Sequence, residues 1–296
     1  MSSNPSPIDI DPAKKLPAAL YVVATPIGNL DDMTPRAIAT LKAVDIIACE
    51  DTRTSGKLLN HFNIDTPTWA YHEHNSEVQT PKLIERIQSG YAVALISDAG
   101  TPLISDPGFQ LVQAAHEARV KVVPVAGVSA VITALSVAGL PSDKFTFVGF
   151  LPAKTHGRQK LLQTYHERSE TLIFYEAPHR IIASLEDMAT VFGHKRSITY
   201  CRELTKTFET VVKSSIGELI EFVKQDSNQQ KGEIVLVVAG HSAQKQLDES
   251  VQHDKLLLRL LEDLSVKKAA ALASDITGVK KNALYQRLLQ LQQQDS

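Results

Sequence analysis

The segment Leu95-Ile96-Ser97-Asp98-Ala99-Gly100-Thr101-Pro102-Leu103-Ile104-Ser105-Asp106-Pro107-Gly108 places a carboxylate directly behind an apolar run. The run Ala92–Ile96 predicts a buried strand; small and turn-forming residues follow it, and a helix is expected from about Asp106. Ligands of open α/β sheets sit just beyond the carboxyl ends of the strands. Asp98 is therefore the expected side-chain contact of a small polar ligand. Three further segments end strands in the same way. Thr25-Pro26-Ile27-Gly28-Asn29-Leu30 lacks the three spaced glycines of a dinucleotide fingerprint, so no nicotinamide site is read there. It is a tight turn, equally suited to approaching a ligand or to mere connection. Glu50-Asp51-Thr52-Arg53 sets two acids beside an arginine, as an ion-pair network or to orient a substrate. Gly127-Val128-Ser129-Ala130 opens a small-residue helix whose first N–H groups are free to bind. Several such turns on one sheet edge point to a ligand crevice.

The second half carries the cations. Tyr175-Glu176-Ala177-Pro178-His179-Arg180 ends a strand and opens a helix with Pro178 in its first turn. Arg202-Glu203-Leu204-Thr205-Lys206-Thr207-Phe208-Glu209 joins two strands and is dense in charge. Arg180, Arg202 and Lys206 near a crevice are natural phosphate contacts; a plain charged hairpin is the alternative. In Lys231-Gly232-Glu233 the glycine permits close backbone approach. His72, Glu73 and His74 invite a metal, but their spacing without a further matched ligand reads better as solvated loop residues, and no metal is expected.

Strands must present these turns. Leu20–Ala24, Val44–Cys49, Trp69–Tyr71, Ala92–Ile96 and Val120–Val125 alternate with helical segments, which predicts a largely parallel sheet covered on both faces. The pattern breaks at Gly139–Ser142. Phe145–Phe150, Thr171–Tyr175, Ile198–Cys201, Glu209–Val212 and Ile234–Val238 then read as strands, the third and fourth as an antiparallel pair. The expected organisation is a disordered leader over 1–18, an α/β domain over 19–140, an α+β domain over 141–241, and a helical module over 245–296. His241–Gln252 is linker-like. In the module, helices flank a turn at Asp275-Ile276-Thr277-Gly278-Val279, the outline of a helix-turn-helix. Residues 264–291 hold Lys267, Lys268, Lys280, Lys281 and Arg287 against one acid, Asp275. This is a nucleic-acid contact or a solvated face.

Composition limits the classes. With 296 residues and a net charge of −2, nothing global marks a nucleic-acid binder, so any polyanion site is a local patch. The two cysteines, Cys49 and Cys201, lie in apolar runs, which argues against a disulfide framework and fits a reducing cytoplasm. No apolar stretch reaches the roughly 18 residues of a membrane span.

Taken in order, the segments VATPIGNLDDMTPRA (23–37), CEDTR (49–53), ISDAGTPLISDPG (96–108), PVAGVSA (124–130), FVGFLP (147–152), FYEAPHR (174–180) and RELTKTFE (202–209) resemble the tetrapyrrole methylase superfamily. They are most similar to its branch that methylates ribosomal RNA, whose C-terminal helix-turn-helix resembles GVKKNALYQ (278–286). One departure is Ser76, where that pattern has an acid. The resemblance implies two α/β domains with S-adenosylmethionine in the cleft between them, and a homodimer. It implies cofactor contacts at Pro26, Ile27, Gly28, Asp98, Thr101, Ile104, Ser129, Ala130, Tyr175 and Gly232. It also implies 2′-O-methylation of a cytidine in the decoding region of 16S rRNA, in the small ribosomal subunit. A ribose hydroxyl is a poor nucleophile, so a base or its orienter is expected among Glu50, Asp51, Glu176 and Glu203, with Lys206 beside them. Arg53, Arg180, Arg202 and the cations of the module are expected on RNA. A tetrapyrrole methyltransferase and a non-catalytic nucleic-acid-binding protein are the alternatives; the basic module argues against the first, and a cofactor titration separates the second.

Overall fold

The computed structural model describes residues 16–241 and 253–294. The first sheet is built from β1 (Ala19–Val23), β2 (Ile46–Cys49), β3 (Thr68–Ala70), β4 (Ala92–Ile96) and β5 (Val122–Val125), in the order β3-β2-β4-β1-β5. All its pairings are parallel. β2 and β4 are buried at every position, which is why they read as unbroken apolar runs. Parallel neighbours require crossovers. These are α1 (Pro35–Ala43), α2 (Thr52–His61), α3 (Ser76–Gln88) and α4 (Phe109–Glu117), while α5 (Ala130–Val137) leads on to the second sheet. α1 starts as its sequence directs: Thr34 Oγ1 accepts from Ala37 N at 3.1 Å and Pro35 takes the first helical position. α4 starts later than expected, at Phe109. Pro107 and then Gly108, at φ +134°, hold the chain out of the helix, and Asp106 is left on the loop.

The second sheet runs β6-β7-β10-β8-β9, from β6 (Phe145–Phe150), β7 (Thr171–Glu176), β8 (Ser197–Arg202), β9 (Thr210–Ser215) and β10 (Ile234–Val238). β6 and β7 are parallel and the rest antiparallel, including the expected β8–β9 pair. α6 (Thr155–Gln163), α7 (Ile181–Phe192) and α8 (Ile216–Gln225) bury one face around Phe174, Tyr200 and Leu236. The other face receives α5. Val131, Ala134, Leu135 and Ala138 pack on Ile173, Cys201, Val235 and Val237, so a helix of the first half closes the core of the second. Each fully buried aliphatic side chain there contributes about 1.5–3 kcal/mol. Thr199 Oγ1 donates to Ala138 O at 2.7 Å and Thr171 Oγ1 to Pro141 O at 2.6 Å, strapping the connection to the second sheet.

The tail forms α9 (residues 253–261), α10 (Val266–Thr277) and α11 (Lys281–Gln294). Ala269, Ala270 and Ala273 let these helices close on Leu257, Leu284 and Leu288. α10 continues through Asp275-Ile276-Thr277, which the sequence had placed in the turn; the reversal falls on left-handed Gly278. Leu16 is buried in the first core, and Tyr21 Oη donates to Pro17 O at 2.9 Å. The last three residues of the expected leader therefore belong to the fold, while 1–15 and the linker-like 242–252 lie outside the described residues. No helix of the described residues is long and apolar enough to cross a membrane.

Candidate functional site

Three turns of the first sheet are tied into one wall. Thr25 N donates to Gly100 O at 2.9 Å and Gly100 N returns a bond to Thr25 O at 3.0 Å, joining the ends of β1 and β4. Thr101 Oγ1 donates to Val128 O at 2.8 Å, adding the turn before α5. Gly100 sits at φ +80°, a conformation that side-chain-bearing residues rarely adopt, and a Cβ there would press on Ile27 Cγ2 at 3.2 Å. Opposite this wall stand the ends of β7 and β10, where Glu176 pairs in register with Ile234.

Between them lies a cavity of about 390 Å³. Ile27, Ala99, Ile104 and Ala130 line it from the first half; Phe150, Tyr175, Pro178 and Val235 line it from the second. Its carboxylates are Asp106, Glu176 and Glu233. The size is that of a small-molecule site, and the lining is apolar with few polar groups, as such sites are. Phe150 and Tyr175 meet edge to face at 5.4 Å. Burial, and then the charges of Asp106 and Glu233, push the Tyr175 phenol up to about 12, so it stays protonated.

Glu176 is the most informative group. Its side chain is fully buried. Oε1 accepts from Ala177 N at 2.7 Å and pairs with the Arg180 guanidinium, but Oε2 has no partner. A buried orphan acceptor is costly, and a ligand bearing hydroxyl or amino donors would satisfy it. Gly232 holds the opposite rim. At φ +79° its missing Cβ would stand 2.4 Å from the Glu203 carboxyl group. Glu203 accepts from Glu233 N at 2.9 Å and from Lys206 Nζ at 2.8 Å, and Lys206 also reaches Glu233 at 2.9 Å. Burial works against the Lys206 charge, but these two carboxylates outweigh it and raise its pKa; Lys206 is a fixed cation. Its stem covers Gly28, where a Cβ would lie 2.4 Å from Lys206 Cγ.

The expected site residues thus separate. Ile27, Ile104, Ala130, Tyr175, Gly232 and Glu176 line the cavity; Glu203 and Lys206 brace its rim. Pro26, Gly28, Thr101 and Ser129 are not among the lining residues but belong to the same turns. Asp98 does not line the cavity. Its Oδ1 accepts from Asp51 N at 3.3 Å and so ties β4 to the β2–α2 turn. Asp51 caps α2 by accepting from Arg53 N at 2.8 Å, and its bonds from Arg53 hold its carboxyl down at about 2, which makes it a weak base. Glu50 is raised, by burial first and then by Asp98, Asp106 and Glu73. Arg202 is 7% exposed and bonds Gln229, Phe208 O and Thr210. Expected on RNA, it is a strut of the hairpin instead. Arg287 pairs with Asp254 at 2.7 Å, while Lys267, Lys268, Lys280 and Lys281 are exposed. Two further carboxylates, Asp106 and Glu233, line the cavity without a distinguishing signal in the sequence. Asp106 stands in the sequence as a helix start, and Glu233 as the neighbour of Gly232.

Asp106 has a special position. It lines the cavity and also a second hollow beside it, so it forms the wall between them. Burial raises its carboxyl, a hydrogen bond with Ser97 opposes this, and the charge of Asp98 adds to it. Among the described residues no cluster of His, Cys, Asp and Glu could hold a metal ion.

The same arrangement recurs in known proteins. Residues 19–220 match the family model of Tetrapyrrole (Corrin/Porphyrin) Methylases, and residues 248–292 match the RsmI C-terminal HTH domain. The chain is 56% identical to the ribosomal RNA small subunit methyltransferase I of Pseudomonas aeruginosa, over 92% of this chain and 97% of that protein. It is 52% identical to the protein of the same name from Escherichia coli O157:H7, over 92% and 95%. Among solved structures, a diphthine synthase superposes with a TM-score of 0.57 at 14% identity, over 77% of this chain and 93% of that one. A uroporphyrin-III C-methyltransferase from Thermus thermophilus, solved with S-adenosylhomocysteine, superposes at 0.52 and 16% identity, over 75% and 97%. With a family model matched over most of the chain and relatives more than half identical over nine-tenths of it, the chain belongs to the tetrapyrrole methylases, in the ribosomal RNA small subunit methyltransferase I family.

Proposed function

We propose that this protein transfers the methyl group of S-adenosylmethionine to the 2′-hydroxyl of a cytidine in the decoding region of 16S rRNA, acting on the small ribosomal subunit as a cytoplasmic homodimer. The observation that carries the reading is the cavity between the sheets, with the unpartnered Glu176 oxygen on one side and Asp106 on the other. The residues fit the cofactor: apolar Ile27, Ile104, Ala130 and Val235 suit a purine and a thioether chain, and the carboxylates suit a cation. When bound, S-adenosylmethionine supplies a methyl group already activated on a sulfonium, so the protein's task is largely positioning.

The chain's own groups divide the remaining work. Glu176 Oε2 holds a donor of the cofactor. Asp106 would accept the proton of the ribose hydroxyl at its carboxylate oxygen as the O–CH₃ bond forms and the S–CH₃ bond breaks, the electron pair staying on sulfur so that S-adenosylhomocysteine leaves as a neutral thioether. Lys206, pinned by Glu203 and Glu233, sets a positive charge at the rim where an RNA phosphate enters. Arg180 serves Glu176 first. Arg53, largely exposed, and the lysines of α10 and α11 hold the backbone of the RNA.

The test is methyl transfer from labelled S-adenosylmethionine to small subunits that lack the modification, followed by nucleoside analysis. The expected product is 2′-O-methylcytidine; a base-methylated nucleoside, or no product, contradicts the reading. Lys280→Ala with Lys281→Ala should weaken RNA binding and leave cofactor affinity unchanged. The slope of log K against log salt should become shallower by about 1 to 2, one unit per lost phosphate contact.

A further inference from the structure

The hollow on the far side of Asp106 has about 310 Å³ and is lined by Tyr71, Glu73, Ser76, Gly108, Phe109 and Gln110 with Asp106 and Pro107. The donor cavity does not use it. Its walls are fixed. Tyr71 is buried, with Oη 3.0 Å from Thr80 Oγ1. Ser76 Oγ donates to Glu73 O at 3.0 Å, which closes the turn that carries Glu73. Gly108 turns at φ +134°, and a Cβ there would lie 2.9 Å from Leu95 Cδ2. Phe109 is 67% exposed at the first position of α4, where its backbone is held but its ring faces solvent. Glu73 and Gln110 are exposed, and among the described residues neither side chain is engaged in a hydrogen bond; the Ser76 bond goes to the Glu73 main-chain carbonyl. On this braced backbone the hollow offers one aromatic ring, one carboxylate and one amide.

We propose that this hollow seats the base of the acceptor nucleotide, with cytosine stacked on Phe109, its N4 amino group donating to Glu73, and its O2 and N3 accepting from the Gln110 amide. The inference rests on the proposed function and adds what selects the base. Because Asp106 is shared by both hollows, a nucleotide whose base lies here has its ribose at the dividing wall, beside the methyl donor. Sequence-specific RNA recognition works on unstacked bases held by aromatic faces and read at their hydrogen-bonding edges. A carboxylate accepts from the cytosine amine, whereas uracil would turn its O4 acceptor toward it. The surrounding charge agrees. Glu50, Asp98 and Asp106 interact electrostatically around this wall, which favours an amino-bearing base edge and disfavours a phosphate.

The test uses the full chain and two small-subunit RNAs, with cytidine or uridine at the acceptor position. Equilibrium binding is measured without cofactor, and methyl transfer with it. The wild type should favour cytidine on the order of tenfold or more in both. Glu73→Gln, whose amide can donate to O4, should bring the ratio near unity, with uridine RNA gaining relative to cytidine RNA. Phe109→Ala should weaken both RNAs alike, by about tenfold. Calorimetry with S-adenosylmethionine should be unchanged in either variant, which excludes unfolding. An unchanged cytidine-to-uridine ratio in Glu73→Gln overturns the inference and leaves the proposed function standing. A wild type that methylates neither RNA overturns the proposed function and the inference with it.

Discussion

Replacing Asp106 with Asn should lower methyl transfer by about 100- to 10,000-fold, the usual contribution of a positioned general base. Cofactor affinity should stay within a few-fold, because Asn keeps the shape of the wall. Asp106 is the carboxylate common to the donor cavity and the neighbouring hollow. Burial and the Asp98 charge hold its pKa above the ordinary aspartate value, which makes it a better base once ionised. The sign follows. The active form is the carboxylate, so the wild-type rate should fall as pH drops through the raised pKa and level off above it. Asp106→Asn should lose that acid limb along with the activity. Glu50 is also raised but lies outside the cavity lining, so Glu50→Gln should cost far less. If stopped-flow transfer rates show the reverse order, with Glu50→Gln the more damaging, the base has been misassigned.

The largest effect on stability should come from Arg158. Its side chain is 2% exposed on α6 and meets Asp187 of α7, 8% exposed, at 2.5 Å. It also donates toward Pro152 O, Ala153 O and Thr155 Oγ1 at 3.3–3.4 Å, pinning the end of β6 to α6. Arg158→Ala would leave Asp187 buried with only Gln159 Nε2, at 2.6 Å, as partner. Stranding a buried charge costs about 3–5 kcal/mol. For a protein of this size the melting temperature should fall on the order of 10 °C. Arg158→Met with Asp187→Leu should recover most of that loss, since the cost lies in the uncompensated charge and not in the absence of the pair. Circular dichroism melts of the three proteins decide it; a single variant that melts within about 2 °C of the wild type contradicts the argument.

Much of the scaffold is legible in the sequence, and particular elements show why. β4, β6 and β10 fall on the expected residues because each is an apolar or aromatic run closed by polar or turn residues. α2 and α6 are not legible: each buries only two positions, Ser55 and Leu59 in one and Arg158 and Leu162 in the other, so no apolar stripe exists to be seen. α8 does carry readable signals. Ile216, Leu219, Ile220 and Val223 keep helical spacing, and Ser215 with Glu218 forms a capping box. For the site, the sequence locates the turns but not the direction each residue faces. Asp98 and Asp106 share one run, and Asp98, directly behind the strand, is the more conspicuous. In the fold Asp98 turns to Asp51 N while Asp106, eight residues on, lines the cavity.

The methyl donor is expected in the space between the two sheets. A crystal structure of the protein grown with S-adenosylhomocysteine tests it directly. The expected density lies between Ile27 and Ala130 on one side and Tyr175 and Gly232 on the other, with a donor of the ligand now bonded to Glu176 Oε2. Density elsewhere, or none there in crystals of protein that calorimetry shows to be saturated, would contradict the account.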